Sequence, residues 1–412
     1  MSKVVMVGPG ERAKVLEATR RAKMASSAHA YVRGNTRQFY EWLLTDSGKR
    51  VPQGPPVWIC GDCHVGNLGP LASADGRIAI QIRDLDQTVI GNPAHDLIRL
   101  ALSLAMAARG SALPGVTTAL MMEQMIEGYE QSLVAPKRKV KVEGDELGPI
   151  RKVLDEAYRR KWKHLAQERI EDVRPEIPLG KRFWTLTEEE KDGIAKLFAG
   201  EATVAKVLQL KGREPGTKLK VLDAAYWMKG CSSLGRVRYA VLLGVGGKGA
   251  GDKKDGVRDQ KDKDRQYCLI DLKEATAAAA PKLKDAPGGH ADRVVAGACH
   301  LSPYLGERML AVTLGRRPIV MRELMPQDLK FDLERLTRDE AIAAARYLAE
   351  VVGKAHGRQM THGVSRSWRA ELNRNRAKNL DAPGWLWSSV VSLIGEHEVG
   401  YLEHSRRYAL GA

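Results

Sequence analysis

Cysteine is scarce in this chain of 412 residues. Five residues, at positions 60, 63, 231, 268 and 299, are too few and too scattered for a disulfide scaffold, which makes reduced thiols the expectation. Long apolar runs are missing too. Residues 1–14 hold no apolar core of signal-peptide length, and the most apolar helical run, Leu97–Ala108, is interrupted by Arg99. Export and membrane spanning are therefore not expected, and the cytoplasm is the predicted compartment. An acidic excess is absent: 66 Lys and Arg stand against 50 Asp and Glu, giving a net charge of +16 and a pI near 9.6. Such a balance favours anionic partners such as nucleotides, phosphorylated metabolites, nucleic acid or acidic lipid, although an ordinary solvated basic face has the same composition. No internal repeat is found. At 43% hydrophobic and 28% charged residues the composition is that of a globular protein, long enough for two or three packed units.

The most informative stretch runs from Trp58 to Arg99. Val57–Cys60 is a short apolar run that ends in Gly61-Asp62-Cys63-His64-Val65-Gly66-Asn67, where glycines permit a tight polar loop. Ile78–Ile82 alternates in strand fashion and delivers Asp84-Leu85-Asp86 into a turn. Asp96 opens a helix whose apolar face is Leu97, Ile98, Leu100, Ala101 and Leu104. Two strands thus present Asp62, Asn67, Asp84 and Asp86 from neighbouring loop ends: a general-base candidate beside hard oxygen ligands. Cys60-Gly61-Asp62-Cys63-His64 also spells the C-x-x-C-H haem-attachment pattern, but that chemistry belongs to exported chains. A zinc site would need a second Cys pair, and none exists. The two thiols are expected to stay reduced and to shape the loop.

Asp62, Asn67 five residues on, and Asp84 after the next strand together resemble the centre of protein-kinase-like and aminoglycoside-phosphotransferase-like enzymes. The run GDCHVGN, DLD and HDLIRLA looks most like a bacterial domain-of-unknown-function family with GDxHxGN and DxD motifs. The resemblance implies that Asp62 accepts a hydroxyl proton, that Asn67, Asp84 and Asp86 hold Mg²⁺ against phosphates, and that Asp96 braces the loop, with His64 in support.

A second region resembles the nucleotide-holding part of the same enzymes. Gly230, Ser232, Ser233 and Gly235 form a small-residue turn before the Arg238-initiated strand, and Lys273 ends the partner strand. Backbone N–H groups of such a turn can cover phosphates, and a lysine there can reach them. Residues 246–265, rich in glycine and mixed charge, read as a flexible hairpin insertion. A helix near 290–301 would follow, but its only carboxylate is Asp292, and Ala296 stands where a lysine-pairing glutamate is sought. Arg317–Met325 reads as a strand entering a hinge, placing Glu323 and Met325 at adenine's edge. Upstream, Arg33-Gly34-Asn35 just before a helix can hold an anion, and the resemblance puts Arg33 near the active site. Residues 136–182 interleave basic side chains with Tyr158 and Trp162; a solvated amphipathic helix accounts for them better than nucleic-acid binding does. Ala341–Gln359 is a clear helix, and Trp385 and Trp387 in the tail read as packing aromatics.

The expected class is α+β: a bilobal protein-kinase-like fold with a helical C-lobe and a small antiparallel N-lobe. It would be circularly permuted, because the catalytic-type loop precedes the glycine-rich turn. Residues 1–226 would carry the loop and acidic turn, 227–335 the sheet, and 336–412 helices returning to the C-lobe. The implied function is ATP- and Mg²⁺-dependent phosphotransfer to a hydroxyl of a small molecule or protein. Nucleotidyl (AMP) transfer and catalytically silent nucleotide binding are the alternatives, with nucleic acid and membrane not expected as partners.

Overall fold

The computed structural model describes residues 7–136, 142, 145–169, 176–209, 213–214, 216–230, 234–246, 266–329, 336–374, 376–377 and 380–408. Ser232 and Ser233, and nearly all of the 246–265 insertion, lie outside these. Three helices, α1 (Arg12–Ala25), α2 (Ala28–Gly34) and α3 (Thr36–Trp42), come first. The Ser27 hydroxyl caps α2 by accepting from the Ala30 N–H at 3.1 Å. Strand β1 (Val57–Ile59) leads into the polar loop, β2 (Leu68–Ala72) and β3 (Ile78–Ile82) form an antiparallel hairpin, and β4 (Val89–Gly91) returns to pair with β1. The stretch thus contains four strands where its pattern suggested two. Gly69 and Pro70 disguise β2 as a turn, but in a two-stranded ladder every strand is an edge, where proline is tolerated.

Asn92 then caps α4 (Pro93–Gly110), whose length is almost wholly buried, and α5 (Gly115–Val134) follows. Helices α6 (Gly148–Arg159) and α7 (Trp162–Arg169) precede the short β5 (Phe183–Trp184). The helix α8 (Glu188–Ala199) starts at a capping box between Thr187 and Glu190 and is followed by α9 (Glu201–Gln209). Strands β6 (Leu219–Trp227), β7 (Arg238–Val245) and β8 (Gln266–Glu274) precede α10 (His290–Leu301) and α11 (Pro303–Gly306). Then come β9 (Met309–Leu314), β10 (Arg317–Glu323), α12 (Arg338–Gly357), α13 (His362–Asn373), β11 (Arg376–Ala377), β12 (Leu380–Pro383) and α14 (Gly384–Tyr408).

The class is α+β. A six-stranded antiparallel sheet in the order β5-β6-β7-β8-β10-β9 is accompanied by three two-stranded ladders and many helices. The sheet takes β5 and nearly all of β6 from before residue 227. Its two faces carry separate apolar clusters. One packs Trp184, Val241, Ile270 and Ile319 against Ile194 and Phe198 of α8. The other packs Ala240, Leu242 and Leu269 against Leu165 and Ile177, with Trp162 partly buried beside them. Because both faces are covered, every residue of β7 is buried and its sequence reads as a nearly unbroken apolar run. Trp162, read as a candidate surface aromatic, is packing instead.

The third and largest cluster joins α4, α5, α12 and the short ladders, with Trp385 and Trp387 packed partly buried against it. Helices α5 and α12 approach closely through two glycines. A β-carbon on Gly128 would lie 2.5 Å from the Arg346 carbonyl, and one on Gly353 would lie 2.0 Å from Ser132 Oγ and 2.9 Å from the Tyr129 carbonyl. Among the described residues, no helix is long and apolar enough to cross a membrane.

Candidate active site

The loop after β1 turns at Gly61, whose φ of 75° favours glycine; a β-carbon there would also lie 2.2 Å from the Gln87 carbonyl. The turn is braced from below by Asp96 in the first turn of α4. Its two carboxylate oxygens accept from the N–H groups of Cys60 (2.7 Å) and Gly61 (2.9 Å). His356 Nε2, at the end of α12, lies 3.1 Å from the same carboxylate, and its Nδ1 is 2.9 Å from the Tyr129 hydroxyl, which also accepts from Trp368 Nε1 at 3.2 Å. The Tyr40 hydroxyl donates to the Gly61 carbonyl. Cys60 and Cys63 are buried free thiols in this same core.

Asp62 sits at the mouth of this braced turn, 6% exposed. One of its oxygens accepts from Arg99 of α4, which is fully buried and also donates to the Val32 carbonyl at 3.4 Å. Burial pushes the Asp62 carboxyl above its usual range, and the Arg99 charge reverses only part of that shift. His64 Nε2 is 3.9 Å from the other Asp62 oxygen, and burial, reinforced by the charges of Arg33 and Arg99, holds the imidazole well below its ordinary pKa and so neutral. Asn67 Nδ2 donates to the Asp62 carbonyl at 2.9 Å. A carbonyl only accepts, so the amide oxygen of Asn67 is left as its remaining acceptor.

The hairpin β2–β3 carries the chain to Asp84 and Asp86, where the sheet meets the helical part. Lys273, at the end of β8, lies 3.2 Å from Asp84 Oδ1 and 2.6 Å from Asp86 Oδ2. Burial favours the protonated acid at both positions. At Asp84 the Lys273, Arg322 and Arg238 charges more than reverse this and hold the carboxyl well below the usual range. At Asp86 the Asp84 charge adds to burial and the pKa is raised. Arg236 reaches Asp86 at 3.3 Å. The glutamate absent from α10 is thus replaced by two aspartates of the acidic turn, and α10 contributes Arg293, which donates to the backbone carbonyls of Asp86, Thr88 and Thr276. Deeper in the sheet, Asp271 of β8 joins Arg238 of β7 (2.8 Å) and Arg322 of β10 (3.0 Å).

Asp62, His64, Asn67, Asp84, Asp86, Arg33, Gly230 and Arg238 line one cavity of about 530 Å³, joined there by Arg322 and Trp227. Lys273, Asp84 and Asp86 also line a recess of about 30 Å³ behind it. Gly235 is exposed, with open space around it. Among the described residues no three His, Cys, Asp or Glu side chains converge on a metal position. Asp84 and Asn67 share the cavity wall, and their oxygens are the hard donors that would hold a magnesium ion there.

Glu323 and Met325 are not part of this cavity. Glu323 is 1% exposed and forms a two-pronged ion pair with Arg213 at 2.7 and 2.8 Å. The backbone N–H groups of Leu324 and Met325 already bond to the Leu269 carbonyl (2.9 Å) and Asp328 Oδ2 (3.3 Å), so the stretch read as a hinge has no free donors for adenine at these positions. Glu323→Gln is therefore expected to lower the melting temperature in a thermal denaturation through the lost buried charge pair, a cost of about 3 kcal/mol.

Arg99, Arg236 and Arg322 are site residues that the sequence reading passed over. A signal for Arg99 existed: it is a charge in an apolar helix, three residues after Asp96, and so on the same face. Arg322 and Asp271 come together only across paired strands.

No curated protein and no solved structure matches the chain. Residues 12–407 match the model of a family described as an uncharacterized protein conserved in bacteria (DUF2252), and the chain belongs to that family.

Proposed function

We propose that the protein is a phosphotransferase of kinase-like, circularly permuted architecture that uses ATP and Mg²⁺ and acts on a hydroxyl. The observation that carries this is the meeting of two segments far apart in sequence: the Asp62–Asn67 loop with the Asp84 turn on one side, and Gly230 and the Lys273 strand on the other. An antiparallel sheet bearing a lysine beside a glycine turn, set against a helical part bearing the acidic loops, is what the kinase resemblance implies.

The roles follow from placement. Asp62, fixed by Arg99, offers its second oxygen to an incoming hydroxyl. That hydroxyl oxygen bonds to the γ-phosphorus, the bond from γ-phosphorus to the β–γ bridging oxygen breaks, ADP leaves, and the hydroxyl proton passes to Asp62. Lys273 exchanges its aspartate contacts for phosphate oxygens. A magnesium ion held by Asp84 and Asn67 would supply neutralisation of phosphate charge.

Calorimetry with ATP, with and without Mg²⁺ at fixed ionic strength, is the test, together with assay of ADP and pyrophosphate. Mg²⁺-dependent binding weakened by Asp84→Asn is the expected result; equal binding by parent and variant would put the metal elsewhere. ADP as product supports phosphoryl transfer, and pyrophosphate would assign AMP transfer instead. A second reading, silent nucleotide binding, draws on the Lys273–Asp84–Asp86 contacts, which engage the phosphate-binding and metal-binding groups with each other. Tight binding without either product would favour it.

A further inference from the structure

We infer that the acceptor is a small alcohol already carrying a phosphate group, and that Arg33 binds that phosphate beside Asp62. The inference rests on the phosphotransferase reading and extends it to the second substrate.

Arg33 is placed by the loop itself. Its guanidinium lies flat against Gly66, between Asp62 and Asn67. A β-carbon on Gly66 would come within 3.0–3.2 Å of Cζ, Nη2 and Nε. The side chain is half-buried on the cavity wall and pairs with no carboxylate among the described residues.

Charge matching across the cavity leads to the same place. The wall's acids are already engaged: Asp62 by Arg99, and Asp84 and Asp86 by Lys273 and Arg236. Arg238 and Arg322 share Asp271. Lys23, Arg33, Arg83 and Arg182 remain on the wall with no carboxylate partner among the described residues; Lys23 donates to the Gly230 carbonyl at 2.9 Å and Arg83 to the Asp328 carbonyl at 3.2 Å. Three of these, Lys23, Arg33 and Arg182, line the cavity with Asp62 and do not line the recess that holds Lys273. The donor's phosphates and magnesium would enter this cavity on the side of Lys273, Asp84 and Asn67, which leaves Arg33, against the loop that carries Asp62, for an anion on the acceptor. A planar guanidinium fork matches a phosphate in two-pronged fashion, and an ammonium nearby suits its second charge. The cavity of about 530 Å³ is in the usual range for small-molecule sites, and Asp62 and Arg33 both stand on its wall. The product is then a molecule with two phosphoryl groups: the new P–O bond forms at the acceptor oxygen, ADP departs, and the proton goes to Asp62.

The experiment is calorimetric titration of the full chain saturated with AMP-PNP and Mg²⁺, using matched pairs: glycerol 3-phosphate and glycerol, glucose 6-phosphate and glucose, with glycerate as a carboxylate control. At least one phosphorylated member should bind at least about tenfold more tightly than its neutral partner. Arg33→Gln should remove about tenfold of that affinity, in line with the loss of one charge-assisted contact, while AMP-PNP affinity stays within about twofold. Arg33→Lys should recover part of it. Equal binding of neutral and phosphorylated partners, preference for glycerate, insensitivity to Arg33→Gln, or no binding by any phosphorylated member of a nucleotide-loaded protein would each overturn the inference. Failure of the parent to bind AMP-PNP–Mg²⁺ in the first titration would instead remove the phosphotransferase reading, and this one with it.

Discussion

Asp62→Asn should reduce kcat by about 10²–10⁴-fold, the range that general acid–base catalysis commonly contributes, with Mg²⁺-dependent nucleotide affinity retained. The amide keeps the shape of the side chain and can still accept from Arg99, but it cannot take a proton from the acceptor. The structure adds a second effect. Arg99 is fully buried and Asp62 is its ion-pair partner, while its Nε and Nη1 have no hydrogen-bond partner among the described residues. Removing the carboxylate charge leaves a buried cation uncompensated, a situation that costs about 3–5 kcal/mol when a buried pair is broken. The melting temperature should therefore fall as well, and kinetics should be measured well below it. The parent should show its own pH signature. The proposed role requires Asp62 ionised, and burial raises its pKa, so kcat/KM should climb with pH through a value above the ordinary carboxylate range. An unchanged turnover in the Asn variant, at a temperature where it is folded, would remove Asp62 from the chemistry.

A loss of stability of comparable size is expected from Asp271→Ala. Asp271 lies on β8 with Arg238 on the adjoining β7 and Arg322 directly opposite on β10, so one carboxylate neutralises two cations across three strands. Its removal should destabilise the fold by about 3–5 kcal/mol, seen as a lower midpoint in urea. Burial alone would raise the Asp271 pKa, but Arg238 and Arg322 override it and hold the carboxyl far below its ordinary value. A depressed folded-state pKa means that the contribution is fully present above the unfolded value, near 3.9, and is lost as pH falls below it. The parent should lose stability in that acidic window more steeply than the variant. Parallel acid-denaturation curves for the two would contradict this account.

The site's acidic half was legible because its signals are local. Asp62, Asn67, Asp84 and Asp96 fall within 35 residues, and the strand Ile78–Ile82 and the helix that carries Asp96 announce themselves by period. The α+β class was legible for the same reason. The adenine-edge assignment of Glu323 was not, because it relied on chain order. Its real partner, Arg213, is 110 residues away and gives no local sign of the pairing. Lys273 shows the same limit: a helix glutamate was sought at 296, while the cavity satisfies the lysine with Asp84 and Asp86 from a segment that precedes it by nearly two hundred residues. Buried ion pairs between distant strands depend on the register of the sheet, and register is a tertiary property. Strand β2 escaped notice for a different reason: glycine and proline are read as breakers until it is known that the ladder has only two strands.

The close approach of α5 and α12 gives the Asp62 loop a mechanical foundation outside the cavity. Gly353 lies three residues before His356, and Tyr129, whose carbonyl faces Gly353, holds His356 Nδ1 through its hydroxyl. His356 in turn touches Asp96, which carries the Cys60 and Gly61 amides. A single added methyl at 353 would meet a backbone carbonyl that has nowhere to go, so the helices would have to part. The spacing of two helices is thus geared to the tilt of the loop, and drift at this seam would be felt as misalignment of Asp62. Tolerance to substitution should therefore follow a buried path of contacts running from α5 and α12 to the loop, with distance from the cavity a poor guide to it.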